Sequence, residues 1–156
     1  MEGARVARRD DLERLTELAR LAVSEAASRR GGAALVGRWL ETGDKAVGSA
    51  LVTALETAMD DPGTGVWAGT IDAAAVGAAV ARGAPGAPGR LPLFFVEPSA
   101  RGVGVGEALL DRAVGWLAER GCTGLDVSVL PGDRATKQFF EGASMVARLI
   151  VMHRAL

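Results

Sequence analysis

Residues 96–110 read VEPSARGVGVGEALL: the end of an apolar strand, a proline turn, an arginine, then three alternating glycines that run straight into an amphipathic helix. Glycines at 102, 104 and 106 remove the side chains that would keep a bulky anion off the main chain. The helix opens where its first N–H groups lack intrahelical partners, and the positive end of its dipole adds to their pull on phosphate oxygens. Arg101 stands at the mouth and can supply charge-assisted hydrogen bonds. The stretch is an anion cradle. It is not a P-loop, because Glu107 stands where that motif needs lysine and no Ser or Thr follows for a magnesium ion. Nor is it the dinucleotide fingerprint, since the glycines alternate strictly and too little chain follows Gly106 for the rest of a doubly wound fold.

Composition narrows the classes further. A chain of 156 residues fits one domain able to bury a core without disulfides. Its 18 basic and 19 acidic residues nearly cancel, so bulk charge argues for neither nucleic acid nor a membrane surface as partner. A single cysteine, Cys122, and a single histidine, His153, exclude an internal disulfide and the usual multi-cysteine or HExxH metal sites. The charged start MEGARVARRDDLERL does not read as a signal peptide, and no run approaches the about 18 apolar residues of a membrane span. A cytoplasmic location is expected. The excess of Ala, Gly and Arg over lysine, with only Lys45 and Lys137, suggests a bacterial origin.

Along the chain, residues 4–8 read as a short extended segment, and Asp10 or Asp11 can cap a helix whose apolar stripe is Leu12, Leu15, Leu18, Ala19, Ala22 and Val23. Arg29 to Gly32 ends it, a stretch with Trp39 and a break near Gly43 follows, and a second helix is predicted over 47–59. Residues 66–71 and 74–82 read as a hairpin about the Asp72-Ala73 turn. Residues 91–96 form a continuous apolar strand of the kind covered on both faces. The helix after the cradle buries Leu109, Leu110, Ala113, Val114 and Leu117 and ends at Gly121. A strand over 125–130, a helix over 133–142 capped by Asp133, and a last strand over 146–152 complete the order.

Val96, Pro98, Arg101, Gly102, Gly104, Gly106 and Leu109 fill every defining position of the pattern V-x-P-x-x-R-G-x-G-x-G-x-x-L. The stretch therefore resembles the signature of the GCN5-related N-acetyltransferases, and the order of predicted elements extends the resemblance over nearly the whole chain. The resemblance implies a single α/β (α+β) domain over 1–156, with a mixed, mostly antiparallel sheet of six to seven strands flanked by about four helices. It implies acetyl-coenzyme A as co-substrate and no metal. Arg101, Gly102, Val103, Gly104, Val105 and Gly106 would hold the pyrophosphate. Phe95 and Val96 would lie along the pantetheine arm, with Asp133, in the family's Asn position, as a helix cap and pantetheine contact. The acceptor would be a primary amine of a small molecule or a protein, and a homodimer through the apolar last strand stays open.

The proton-transfer positions depart from the family. Its general-acid tyrosine falls on Phe140, the chain contains no tyrosine, and the glutamate found in some members falls on Ser128. Glu97 and Asp126 are the candidate bases, each weighed against an ordinary role as a solvated strand-end residue. Water is the alternative proton carrier. A second reading, an acyl-coenzyme A binding module without catalysis, follows from the same two substitutions. Cys122 reads as a packed residue, His153 as a half-exposed strand residue, and Trp67 and Trp116 as core. Trp39 is a candidate acceptor-pocket residue, and Arg29, Arg30 and Arg38 make the same segment basic.

Overall fold

A computed structural model describes residues 1–40 and 47–156; the side chains of residues 37–40 and 47–49 lie outside this description, and with them Arg38 and Trp39. The elements run β1 (Glu2–Val6), α1 (Leu12–Ala27), α2 (Gly32–Leu40), α3 (Val47–Asp60), β2 (Thr64–Ile71), β3 (Ala74–Arg82), β4 (Pro88–Val96), α4 (Val105–Glu119), β5 (Gly124–Asp126) and α5 (Arg134–Gly142). The sheet has the order β1-β2-β3-β4-β5, antiparallel except for the last pair.

The two faces of the sheet carry two cores. Leu15, Leu18 and Ala19 of α1 and Leu51 and Leu55 of α3 recur at helical spacing, are fully buried, and meet Val66, Ala68, Ala78, Val80, Leu93 and Phe95. On the opposite face Val105, Leu109, Ala113 and Leu117 of α4, with Phe140 of α5, meet Trp67, Ala79, Ala81 and Val96. Trp67 and Trp116 pack edge to face at 5.7 Å within this second core. The β2–β3 hairpin turns through Asp72 (φ 48°) and Ala73 (φ 73°), the paired positive φ values of a type I′ turn.

Gly69 and Gly77 sit opposite each other across β2 and β3. A Cβ on Gly69 would lie 2.7 Å from Val105 Cγ1 and 2.9 Å from Leu109 Cδ1, and one on Gly77 would lie 3.1 Å from Leu109 Cδ1. The two bare positions form a socket that lets the first turn of α4 settle onto the sheet.

Several expectations are corrected. The sheet of the described residues has five strands, against six to seven, and five helices flank it, against about four. The stretch before Gly43 forms a helix of its own, α2; the break near Gly43 lies outside the described residues. Asp11 does not cap α1 with its side chain: its carboxylate takes two hydrogen bonds from Arg5, at 2.7 and 2.8 Å, and one from the Arg8 N–H at 2.7 Å. The strand foreseen over 125–130 is paired only over Gly124–Asp126. Residues 146–152 form no strand, and Val146, Leu149, Ile150, Val151 and Met152 are exposed. An apolar run becomes a strand only beside a ladder it can join, and β5 offers three residues of pairing before the chain turns away.

Candidate active site

β4 and β5 pair only through Pro88–Gly124, Gly89–Leu125 and Arg90–Asp126. Beyond that point they diverge, and a cavity of about 380 Å³ opens between residues 91–96 on one side and 127–130 on the other. α1 and α2 close it above and α5 below, with Arg101, Gly102, Gly106 and Glu107 at one end. Its volume is in the range of small-molecule sites.

The register fixes what β4 presents to this gap. Glu97 N–H donates to the Val76 carbonyl at 2.9 Å and Val96 stands opposite Gly77, so peptide groups of odd-numbered residues at this end of β4 face β3. Those of Phe94 and Val96 therefore face the gap. Pro92, which has no N–H, lies within this strand beside a register irregularity of the β3–β4 pair, where a missing donor is tolerated.

The cradle stands at the end of the same strand. Gly102 (φ 77°) and Gly104 (φ 100°) adopt positive φ that other residues reach only with strain, and Gly104 is the N-cap of α4. The Ala108 N–H reaches the Gly104 carbonyl at 3.0 Å, which leaves the N–H groups of Val105, Gly106 and Glu107 without intrahelical acceptors. Gly106 serves a different end: a Cβ there would stand 3.0 Å from the Phe139 ring, so its bareness brings α5 against α4. Val105 is fully buried and Val103 exposed, so these two bring only main chain to the cradle.

Arg101 is turned back across the mouth. Its Nε donates to the Val96 carbonyl at 2.8 Å, its Nη2 to Glu25 Oε2 at 2.8 Å, and its guanidinium lies 5.5 Å from the centre of the Phe95 ring. Glu25 also meets Arg29 at 3.4 Å, and Arg29 meets Asp133 at 3.4 Å. Asp133 caps α5 as foreseen, accepting from the Thr136 N–H at 3.1 Å and hydroxyl at 2.7 Å. A line of alternating charge thus crosses the mouth: Arg101, Glu25, Arg29, Asp133. The floor is aromatic, with Phe94, Phe139 and Phe140 at centroid distances of 5.2–5.5 Å from one another.

Of the residues singled out from sequence, Val103, Gly104 and Val105 lie outside the cavity wall, while Arg29, Phe95, Val96, Arg101, Gly102, Gly106, Ser128, Asp133 and Phe140 line it. Glu97 and Asp126 do not. Glu97 takes a 2.7 Å hydrogen bond from Arg14, whose Nε donates to the Ala75 carbonyl at 3.0 Å, and Asp126 meets Arg148 at 3.4 Å. Cys122 donates its thiol to the Ala84 carbonyl at 3.5 Å, and His153 lies in the exposed C-terminal segment. Sequence reasoning passed over Glu25, Phe94 and Phe139. Glu25 had a signal: Leu18, Ala22, Glu25 and Arg29 continue one helical stripe, and a carboxylate on a buried stripe marks a cavity or a buried ion pair.

The model of the Acetyltransferase (GNAT) family matches residues 46–143. The chain belongs to this family. No curated protein matches the sequence. Among solved structures, the GNAT domain superposes on the aminoglycoside N-acetyltransferase AAC(6')-Iy in complex with CoA with a TM-score of 0.73 at 16% identity, covering 99% of this chain and 95% of that one. A transcriptional regulator from Bacillus halodurans C-125 gives 0.71 at 16% identity over all of both chains. A ribosomal-protein-alanine N-acetyltransferase from Brucella melitensis biovar Abortus 2308 gives 0.67 at 15%, covering 100% and 99%. These likenesses establish a common fold. Among the described residues no helix is long and apolar enough to cross a membrane.

Proposed function

We propose that this GNAT domain, the whole of residues 1–156, transfers the acetyl group of acetyl-coenzyme A to a primary amine of a small molecule or protein by direct attack in the cytoplasm. The observation that carries this reading is the unpaired edge of β4 ending beside the open N-terminus of α4. The edge fits an amide-bearing pantetheine arm, because the peptide groups of Phe94 and Val96 face the gap with Phe95 behind them. The cradle of Arg101, Gly102, Val103, Gly104, Val105 and Gly106 fits the pyrophosphate, and Asp133 stands across the gap toward the arm. When bound, the coenzyme supplies a thioester open to nucleophilic attack.

Within this reading the chain orients and stabilises more than it transfers protons. A gap-facing main-chain N–H, that of Phe94 or Val96, would donate to the thioester oxygen as charge develops on it, and such a preorganised donor contributes about 3–4 kcal/mol in other acyl transfers. The amine nitrogen forms its bond to the acyl carbon as the C–S bond breaks. Phe140 has no proton to give and the candidate bases Glu97 and Asp126 lie outside the cavity, so water protonates the thiolate and takes the amine's proton, directly or by way of a carboxylate of the cavity wall. The AAC(6')-Iy and ribosomal-protein-alanine enzymes, as their names state, act on amines, which supports the reaction class.

The test is calorimetric binding of acetyl-coenzyme A followed by thiol-release assays with neamine, spermidine, tyramine and an alanine-terminated peptide. We expect binding and turnover with at least one amine. Gly104→Val places a branched side chain at φ 100°, with its Cβ 3.2 Å from Glu2, and should weaken coenzyme binding by about tenfold or more. Unchanged affinity would overturn the cradle. The second reading, an acyl-coenzyme A sensor, is favoured by the absence of tyrosine, and tight binding without turnover on any amine would select it.

A further inference from the structure

Both strong contacts of Arg101 fall on groups that the two substrates need. Its Nε occupies the Val96 carbonyl, which belongs to the β4 edge facing the gap, and its Nη2 occupies Glu25. Glu25 is the carboxylate that α1 delivers to the cavity wall, where it meets Arg101 at the end of β4. Its other cation, Arg29, stands farther off at 3.4 Å and is shared with Asp133. Arg101 itself belongs to the cradle. A guanidinium has a limited set of donors, and a pyrophosphate offers it more charge and more acceptor oxygens than one half-exposed carboxylate does.

We propose that Glu25 receives the ammonium of the acceptor, and that Arg101 keeps it occupied until the coenzyme's pyrophosphate draws the guanidinium away. This rests on the acetyltransfer reading above. Coenzyme arrival then does two things at once: it clears the Val96 carbonyl for the arm and leaves Glu25, on the wall of the cavity, short of one cation. An ammonium is the natural replacement. The coenzyme thus creates the amine's binding site, and by linkage each substrate strengthens the binding of the other.

The experiment compares the wild type with Glu25→Gln, which keeps the shape and removes the charge, and with Glu25→Asp, which keeps the charge and shortens its reach. Glu25 is 30% exposed and thermal melting verifies that each variant is folded. Calorimetry with acetyl-coenzyme A alone should show Glu25→Gln binding it about threefold or more tighter, because Arg101 no longer has a competing carboxylate. For an amine turned over by the wild type, Glu25→Gln should raise the amine KM about tenfold or more, with Glu25→Asp between the two. Coenzyme affinity that is unchanged or weaker in Glu25→Gln would overturn the competition for Arg101. An unchanged amine KM would overturn the reception of the ammonium. Wild-type protein that binds no acetyl-coenzyme A, or binds it and acetylates no amine, would instead defeat the acetyltransfer reading, and the role of Glu25 toward an amine would fall with it.

Discussion

Phe140 has no proton to give, and its ring is committed to packing. It is 4% exposed and holds Phe94 at 5.4 Å and Phe139 at 5.2 Å, so it builds the floor of the cavity. If water protonates the departing thiolate, Phe140→Tyr should change kcat by less than about tenfold, whereas a limiting general acid is worth about a hundredfold or more. Steady-state kinetics on the best amine of the panel decides between these. Asp11 offers a test of stability at the same scale. The Arg5 guanidinium holds its carboxyl below the usual carboxylate range, with help from the Arg8 N–H and against partial burial. A depressed folded pKa adds stability that is complete above the unfolded value of about 3.9 and is lost as pH falls through the folded value. Asp11→Asn should therefore cost about 1–2 kcal/mol at pH 7, and urea denaturation should show the gap to wild type closing as pH drops below about 4.

The element that organises the site is α4, and its seat is made by absent side chains. Gly69 and Gly77 form the socket for Val105 and Leu109, so the height of the cradle above β4 depends on two residues of the hairpin. Gly69→Val would force its branches into Val105 and Leu109, and overpacking of this kind costs about 1–3 kcal/mol. Urea denaturation should register that loss, and calorimetry should register weaker binding of acetyl-coenzyme A, because the helix terminus is lifted away from the strand it serves. This division also explains what could be read from the sequence. The cradle and the hairpin were legible because glycine, proline and turn chemistry act locally. The length of β5, the absence of a ladder over 146–152 and the socket were not, because each depends on what lies opposite in space. The pairing of Gly69 with Gly77 has no counterpart in local sequence.

At the scale of the molecule, helices cover both faces of a five-stranded sheet, and the functional opening lies where the sheet stops pairing. That layering follows from the apolar stripes of α1 and α4 and the alternating faces of β2, β3 and β4, all of which the sequence carries. The cavity mouth was only partly legible. Arg101 and Asp133 sit in recognisable patterns, while Glu25 reaches Arg101 from a helix more than seventy positions earlier in the chain.

The divergence of β4 from β5 has a consequence for the life of the protein as well as for its chemistry. The peptide groups of Phe94 and Val96 face the gap with no paired strand among the described residues, and partial unfolding that moved residues 127–130 and the flanking helices aside would bare this edge as a template on which a second chain can add. A ligand that lies along this edge hides the template and also favours the native state by mass action. On the acetyltransfer reading that ligand is the coenzyme, and its supply would lengthen the time each molecule survives without aggregating, so that the acyl donor would serve the protein as a chaperone of its own sheet.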